Sequence, residues 1–576
     1  QRNWLNDHTV YTHGYGVVAA KGNTRENDGR PSFFESQIGT EGQLGKYEPR
    51  IYFGEQSPEY SIVGGGKKEF DYPDPAGTGQ ITNTYAGTGG VALDAVKRMA
   101  YAIKYREINF LLSDAVTNDS RLLDHRTPRD RVQRVAPWLT LDGNAYPAVV
   151  DGRVLWILDG YTTSANYPYS QMTTLDQATE DSVTSVRQSV RAVQAGQVNY
   201  VRNSVKATVD AYDGTVTLYE WDETDPLLKA WMSIFPGTVK PLADIKGSLM
   251  AHLRYPEDLF KVQRQLLEKY HDTDASSFYG GQNFWRVPDD PTQQVDLVQP
   301  PYYLSLAMPG QKSPAFSLTS TFMPVGDRNV LTGFLAVDGD AGSATGKKAA
   351  GYGTIRLLET TGGTVNGPGQ VYNDIRSSAV ASKDPQLPGT LAQYIGTTNS
   401  NGNIVIFGNQ LTLPVGGGLL YVQPIYSQAR SASGTYPRLV AVAVAFGNKI
   451  AWAGSLDGAL NDLFGGSSGA SAGDTGADTP NAPTPTTGGT GGTGGTGTAT
   501  PTPTGTSTST PTPTGTPNPT ALAAALKDAE AAYAEGEAAL KAGNFAAYGT
   551  AQTKLKDALK RAVEASPQGS PTTKAP

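Results

Sequence analysis

Chemistry in a protein is usually carried by histidine, cysteine and facing acids, and in this protein they are sparse or dispersed. Cysteine is absent, which removes thiol nucleophiles, thiolate zinc sites, iron–sulfur clusters and disulfides together. Of the five histidines, His8 and His13 stand five apart beside Tyr11 and Tyr15, while His125, His252 and His271 are scattered. A metal site needs at least three convergent ligands, so His8 and His13 read as hydrogen-bonding groups in a loop before Gly14-Tyr15-Gly16. Tyr11 and His13 are kept as candidate ligand-binding residues. No cofactor and no metal is expected.

A second candidate is the stretch "DGYTTSANYPYS" from Asp159 to Ser170, with three tyrosines, four Ser/Thr hydroxyls and one acid. It follows a strongly apolar run, and loops at strand ends are where binding groups collect on a rigid scaffold. Asp159, Tyr161, Tyr167 and Tyr169 could line a site for a polar ligand; the alternative is that they cap an apolar core. Tyr167-Pro168-Tyr169 should be extended, because the residue before proline avoids helix. "DGDAG" at Asp338 to Gly342 begins like a calcium loop but lacks the later oxygen ligands and the closing Glu, so it is expected to be a turn. "GGTGGTGGTG" has neither a preceding strand nor a lysine and is no phosphate cradle. "GGSSG" at Gly465 to Gly469 lacks the strand-to-helix setting of a Gly-x-Ser-x-Gly elbow, and the 54 acids allow many carboxylate pairs without selecting one.

The elements that must position these residues are predicted from periodicity and turn chemistry. Short strands and long loops are expected from about Asn6 to Asp71. Gly90 to Leu112 places Val91, Ala95, Met99 and Ile103 at helical spacing, an amphipathic helix with that stripe facing the core. Asp151-Gly152 and Asp213-Gly214 each sit between β-rich runs and predict hairpins. In the second, Val205, Ala207, Val209 and Ala211 should be buried, with the alternating Lys206, Thr208 and Asp210 wet. Pro226 to Phe235 and Tyr255 to Tyr270 read as helices, the latter with Leu259, Val262, Leu266 and Leu267 as its core stripe. From Gln299 to Gly447 seven strand-like runs separated by short connections predict an antiparallel sheet or sandwich.

The expected fold class is therefore α+β: a β-rich body over residues 1–464, divisible at about 295/296, with a sandwich-like second half and several helices. Residues 465–520 are Gly, Thr, Ser, Pro and Ala apart from Asn481 and Asn518, with only Asp474 and Asp478 charged, a composition with too little apolar surface to order. Residues 521–566 are Ala/Leu/Lys/Glu-rich. Leu522, Leu526, Tyr533 and Leu540 share one helical face, Tyr548, Leu555 and Leu559 share another, and "KAGNF" breaks between them; an αα-hairpin is expected, followed by a disordered tail at 567–576. A net charge of −7 without a dense basic block excludes the footprint of a nucleic-acid binder. No run of about 18 apolar residues occurs, and the opening "QRNWLNDHTVYTHGYG" reads like the interior of a domain, as if excised from something longer.

"YTHGYGVVAA", "PRIYFGE", "GTGGVALDAVKRMAYAIKYREINFLLSDA", "RVAPWLTLDG", "DGRVLWILDGYTTSANYPYS", "HLRYPEDLFKVQRQLL", "LTLPVGGGLLYVQPIY" and "FGNKIAWAGSLDGAL" together resemble, in collinear order from about Trp4 to Phe464, the uncharacterised protein family numbered 0182 (UPF). The resemblance implies a location rather than a reaction. Members of that family are large actinobacterial integral membrane proteins with N-terminal transmembrane helices and a large extracytoplasmic region, and this chain would be that region, at the cell membrane. Its function is then expected to be binding or scaffolding in the cell envelope, with an envelope protein, glycan or lipid as partner. The alternative is a hydrolase of envelope polysaccharide or peptide, for which no catalytic motif stands out.

Overall fold

The computed structural model describes residues 3–36, 42–74, 76–77, 79–186, 192–193, 196–293, 297–326, 328–360, 365–387, 389–430 and 436–468, with individual positions between 524 and 561. The chain divides into two compact units, Gln1–Ala482 and Pro483–Pro576.

The first unit is a mixed α+β body whose three largest sheets are antiparallel except for one strand pair. The central sheet runs Thr140–Leu141, Arg153–Ser164 (β1), Tyr200–Asp210 (β2), Val216–Glu220 and Val239–Lys240, with Tyr146–Val150 also paired to β1. Only its last pair is parallel. The hairpin predicted at Asp151-Gly152 is tight: Val150 pairs with Arg153, and both turn residues have positive φ, 51° and 77°, as a primed turn requires. The one at Asp213-Gly214 is looser. Asp210 there accepts from the backbone N–H of Tyr212 and Asp213 and holds Arg153 in a two-pronged ion pair, which organises a longer connection.

Val205, Ala207, Val209 and Ala211 are buried as predicted, the first three against Val132, Leu158 and Leu228. The other face departs from expectation, since Lys206 and Thr208 are buried too. A second layer containing Trp221, Leu242, Ile245, Met250 and Leu253 covers it. An alternating strand reads as half-wet only when nothing packs on its polar face, and the segment that follows the sheet returns to do so.

The second sheet joins Trp285–Arg286, Ala315–Pro324, Gly333–Asp338 and Ile355–Glu359, with Tyr302–Leu306 on Ala315–Pro324. The third joins Asn403–Phe407, Gly418–Ala429, Arg438–Phe446 and Lys449–Ala453, with Leu411–Val415 on the long Gly418–Ala429 strand. The "DGDAG" segment is a turn in which Asp340 accepts from Gly342 N–H at 2.8 Å.

Two helices differ from their predicted faces. Gly90 to Leu112 becomes α1 (Ala95–Tyr105) and α2 (Asn109–Leu112), separated where Arg106 turns left-handed at φ 53°. Asp94 caps α1 through Lys97 N–H at 2.8 Å. The side of α1 that packs inward carries Ala102 with Tyr101 and Tyr105, so Met99 and Ile103 point outward. The Glu257–Tyr270 helix (α3) starts, as expected, with two acids in its first turn. It buries Phe260, Val262 and also Lys261 and Arg264, while Leu266 is exposed.

In the second unit the described positions from Ala524 to Arg561 are helical. Lys554 pairs with Glu535 at 2.7 Å and Arg561 with Asp528 at 2.9 Å. Partner numbers that run in opposite senses are the mark of antiparallel helices, and Ala532, Ala551 and Ala558 are buried. The seven apolar residues predicted to form the stripes lie outside the described residues, as do residues 469–520 and 567–576.

Candidate functional site

The six candidate residues fall into three settings. Tyr11 is half-exposed and meets Phe70 edge-on at 5.5 Å. His13 is enclosed: its Nε2 is 2.9 Å from Asp71, its Nδ1 is 2.9 Å from Thr12 Oγ1, and Thr12 and Tyr52 both donate to Glu69 at 2.7 Å. Arg50 closes the cluster with two bonds to Asp71. Every polar group in it is matched by another, so it stitches the N-terminal segment to the Glu69–Pro73 strand rather than presenting a free group to a ligand.

Asp159 and Tyr161 lie on the inner half of β1 and are buried. Lys206 forms an ion pair with Asp159, Asn203 donates to it at 3.0 Å, and Lys206 also donates to the Arg254 carbonyl at 2.7 Å. Burial lowers the pKa of the Lys206 ammonium, opposed by Asp159. Tyr161 donates to Asp142 at 2.5 Å, and burial pushes its phenol well above the ordinary range. Asp142 belongs to a clamp with the start of α3: Gly143 N–H donates to Asp258, Asp258 N–H to Asp142, and Asn144 to Glu257. Asp258 is raised well above the usual carboxylate range, first by burial and then by Asp142. These groups hold "LTLDG" onto "YPEDLF".

Tyr167 and Tyr169 stand beyond this core. Tyr169 is fully exposed with a left-handed backbone, φ 56°. Tyr167 is 56% exposed, stacks on Tyr200 at 5.7 Å and 23°, and lines a cleft of about 490 Å³. Asn199 fixes this loop, accepting from Tyr167 N–H at 3.0 Å and donating to the carbonyls of Tyr167 at 2.8 Å and Ser170 at 3.2 Å. The backbone that carries this ring is thus held before any ligand arrives.

The cleft's other wall is one face of α3, where Val262, Gln265, Leu266, Lys269 and Tyr270 recur at helical spacing. Leu175, Val198 and Val201 supply apolar surface to it. Tyr200 donates to Asp225 at 2.6 Å, so its hydroxyl is committed and its ring remains for stacking; burial, then Asp225, raises it to about 12. Asp225 caps the Pro226–Ile234 helix and accepts from Ser204 and Thr162, both at 2.6 Å. Burial works against its ionisation, but these hydrogen bonds outweigh it and lower its pKa. Arg202 is tied to Asp222 at 3.1 Å.

What remains for a ligand is two aromatic walls, an apolar floor and the side chains of Gln265 and Lys269. Neither has an ion-pair or hydrogen-bond partner among the described residues. Among the described residues Glu268 is the only acid lining the cleft, and no histidine lines it. Burial raises its carboxyl, opposed by a bond from Val287 N–H at 3.2 Å. No group of acids and histidines among the described residues could hold a metal ion. Of the sequence candidates only Tyr167 reaches the cleft. The α3 wall is legible in the sequence as the apolar stripe through Val262 and Leu266, which periodicity alone assigns to the core.

A model of the Uncharacterised protein family (UPF0182) matches residues 1–387. UPF0182 proteins of Kineococcus radiotolerans and Bifidobacterium longum are each 51% identical over 98% of this chain, covering 54% and 52% of their own lengths. The UPF0182 protein of Streptomyces coelicolor is 48% identical over 98% of the chain and 52% of its own length. The chain thus spans about half the length of the curated relatives it matches. No solved structure matches.

Proposed function

We propose that this chain, which belongs to the uncharacterised protein family UPF0182, is the extracytoplasmic region of a membrane-embedded envelope protein and works by binding, its cleft between the Tyr167 loop and α3 taking a saccharide. The observation that carries the binding half is the composition of the cleft: stacked Tyr167 and Tyr200 on one side, Tyr270 on the other, and between them Gln265 and Lys269, the latter held only by a long contact over the Phe284 ring at 5.9 Å. Flat apolar C–H faces of a sugar ring stack on tyrosine, while amide and ammonium groups bind its hydroxyl or carboxylate oxygens. The membrane setting is what the family resemblance implies. No helix among the described residues is long and apolar enough to cross a bilayer, so the proposal assigns spanning segments to the half of the relatives' length that this chain does not cover.

Glu268 favours a second reading, hydrolysis of envelope polysaccharide, because a carboxyl whose pKa burial raises is better suited to donate a proton. Glycoside hydrolysis needs a second carboxylate across the bond, and no other described residue lining the cleft is an acid. The test is titration of an oligosaccharide panel, neutral and acidic, against the protein and its Tyr167→Ala and Lys269→Ala variants. Tyr167→Ala should weaken binding about tenfold, the loss of one stacking contact, with unchanged unfolding. Lys269→Ala should weaken acidic members selectively. Equal binding by all three proteins would remove the cleft from the proposal, and turnover abolished by Glu268→Gln would replace binding with hydrolysis.

A further inference from the structure

Two lysines among the described residues are fully buried, and their surroundings differ. Lys261 on α3 touches three carboxylates, Asp181 at 2.7 Å, Glu257 at 3.0 Å and Asp258 at 3.4 Å. Burial works against its charge, but Asp258, Glu257 and Asp181 outweigh it and raise its pKa. Lys206 on β2 touches one carboxylate, Asp159, which stands directly opposite it on β1. Burial lowers the pKa of this ammonium; Asp159 and, from farther off, Asp142 oppose that, and the Arg254 guanidinium adds to it. Lys348, whose Nζ lies over the Trp221 ring at 4.4 Å while that of Lys206 lies over it at 5.1 Å, brings a second positive charge to the same indole. Lys261 is locked as a cation, whereas Lys206 can pass a proton to Asp159 and leave an amine against a carboxylic acid.

The groups around this pair match an amide. A secondary amide has one N–H and one carbonyl oxygen to satisfy. The Arg254 carbonyl, 2.7 Å from Lys206 Nζ, accepts the first, and Asn203 Nδ2, which donates to Asp159 Oδ1 at 3.0 Å, holds the second. Buried Trp221, with Tyr352 edge-on to it at 5.4 Å, walls the pair off from water. Partners fixed in contact react without the cost of being brought together, and a site closed to water lacks the reactant that would reverse a condensation.

We propose that Lys206 and Asp159 condense within the folded protein into an amide that cross-links β1 to β2. Proton transfer from the ammonium to the carboxylate gives amine and acid. The nitrogen lone pair then attacks Cγ, and negative charge gathers on Oδ1, where Asn203 holds it. The Cγ–Oδ2 bond breaks, the departing hydroxyl takes a further proton from the nitrogen, and one water leaves. No oxidant, reductant or second substrate is consumed. The ring closed in this way, residues 159–206, contains the Tyr167 wall of the cleft, but the cross-link does not depend on what the cleft binds.

The test is the mass of the whole chain after denaturation, followed by peptide mapping. The purified protein is expected to be lighter than its sequence by one water. Its tryptic digest should contain a branched peptide joining the Asp159 and Lys206 segments, with no cleavage after Lys206. Lys206→Arg and Asp159→Ala should each show the full sequence mass, and Asn203→Ala should form the bond about a hundredfold more slowly, the loss of one donor to a developing oxyanion. The parent is measured directly, so the decision stands even where a variant fails to fold. A parent that keeps its full sequence mass after prolonged incubation in the folded state would overturn the proposal. So would a lost water traced to a succinimide at Asp151-Gly152 or Asp213-Gly214 with Lys206 still open to trypsin, and formation at the parent rate in Asn203→Ala would overturn the part given to Asn203.

Discussion

Tyr161→Phe should destabilise the first unit without touching its ligand chemistry. The hydroxyl donates to Asp142 at 2.5 Å in a buried setting, a hydrogen bond to a charged acceptor worth about 1.5–3 kcal/mol. Phenylalanine keeps the ring and so leaves almost no cavity. Asp142 would retain Asn144 N–H at 2.9 Å and Asp258 N–H at 3.2 Å. It would lose its shortest donor while Asp258, which already resists ionisation beside it, stays close. The upper half of that range is therefore expected, roughly a thirtyfold or larger fall in the folding constant. Urea unfolding followed by tryptophan fluorescence would measure it, with Tyr167→Phe as the exposed-loop control expected to stay within about 0.5 kcal/mol of the parent. A Tyr161→Phe protein as stable as the parent, or one that keeps its stability and loses saccharide affinity, would refute the structural role assigned to this hydroxyl.

Lys206→Met should cost about 3–5 kcal/mol by leaving Asp159 buried and unpaired, and adding Asp159→Leu should recover much of that loss in the same unfolding experiment. Asp225 has a folded pKa below its unfolded value, so its contribution is full above the unfolded pKa of about 3.9 and is lost as pH falls through the lower folded value. Asp225→Asn should accordingly be less stable than the parent at neutral pH, with the gap closing only under more acidic conditions in a pH series of melting curves. Tyr169 combines full exposure with a left-handed backbone, and Tyr169→Gly should leave the melting temperature unchanged or raised, because relief of about 1 kcal/mol of strain offsets the added backbone entropy.

Much of the body was legible because its elements carry local instructions. Asp151-Gly152 can adopt the positive φ pair of a tight hairpin, Asp225-Pro226 and Pro256-Glu257 open helices, and most of the strand runs after Gln299 are joined by segments too short for crossover helices, the exception being the connection from Glu359 to Asn403 with its helices Pro368–Ser377 and Leu391–Ser400. The face of α1 was not legible. Val96, Met99 and Ile103 and the opposite Ala102, Tyr101 and Tyr105 both form apolar stripes, and periodicity cannot say which stripe an unseen neighbour will cover. Here the aromatic side won, since it stacks on Tyr60 and Phe110.

The Asp159–Ser170 stretch was harder still, because its tyrosines are chemically alike and do opposite things. What separates them is a register shift between Gly160 and Tyr161, where Gly160 faces Val205 but Tyr161 faces Asn203. The extra residue on β2, Ser204, turns toward Thr162 and Asp225, and it lets Asn203 and Lys206, three apart, converge on Asp159 from one side of the sheet. Strict alternation would have put those two side chains on opposite faces. The shift therefore completes a buried polar cluster at the inner half of the stretch, and Asp159 and Tyr161 are spent on structure. Past Ser164 the strand ends, Asn199 takes over the backbone of Tyr167 and Ser170, and the same residue type becomes available to a ligand. A bulge on one strand and an asparagine on its approach thus divide a single tyrosine-rich segment into core and cleft, and neither device has a signature in the segment itself.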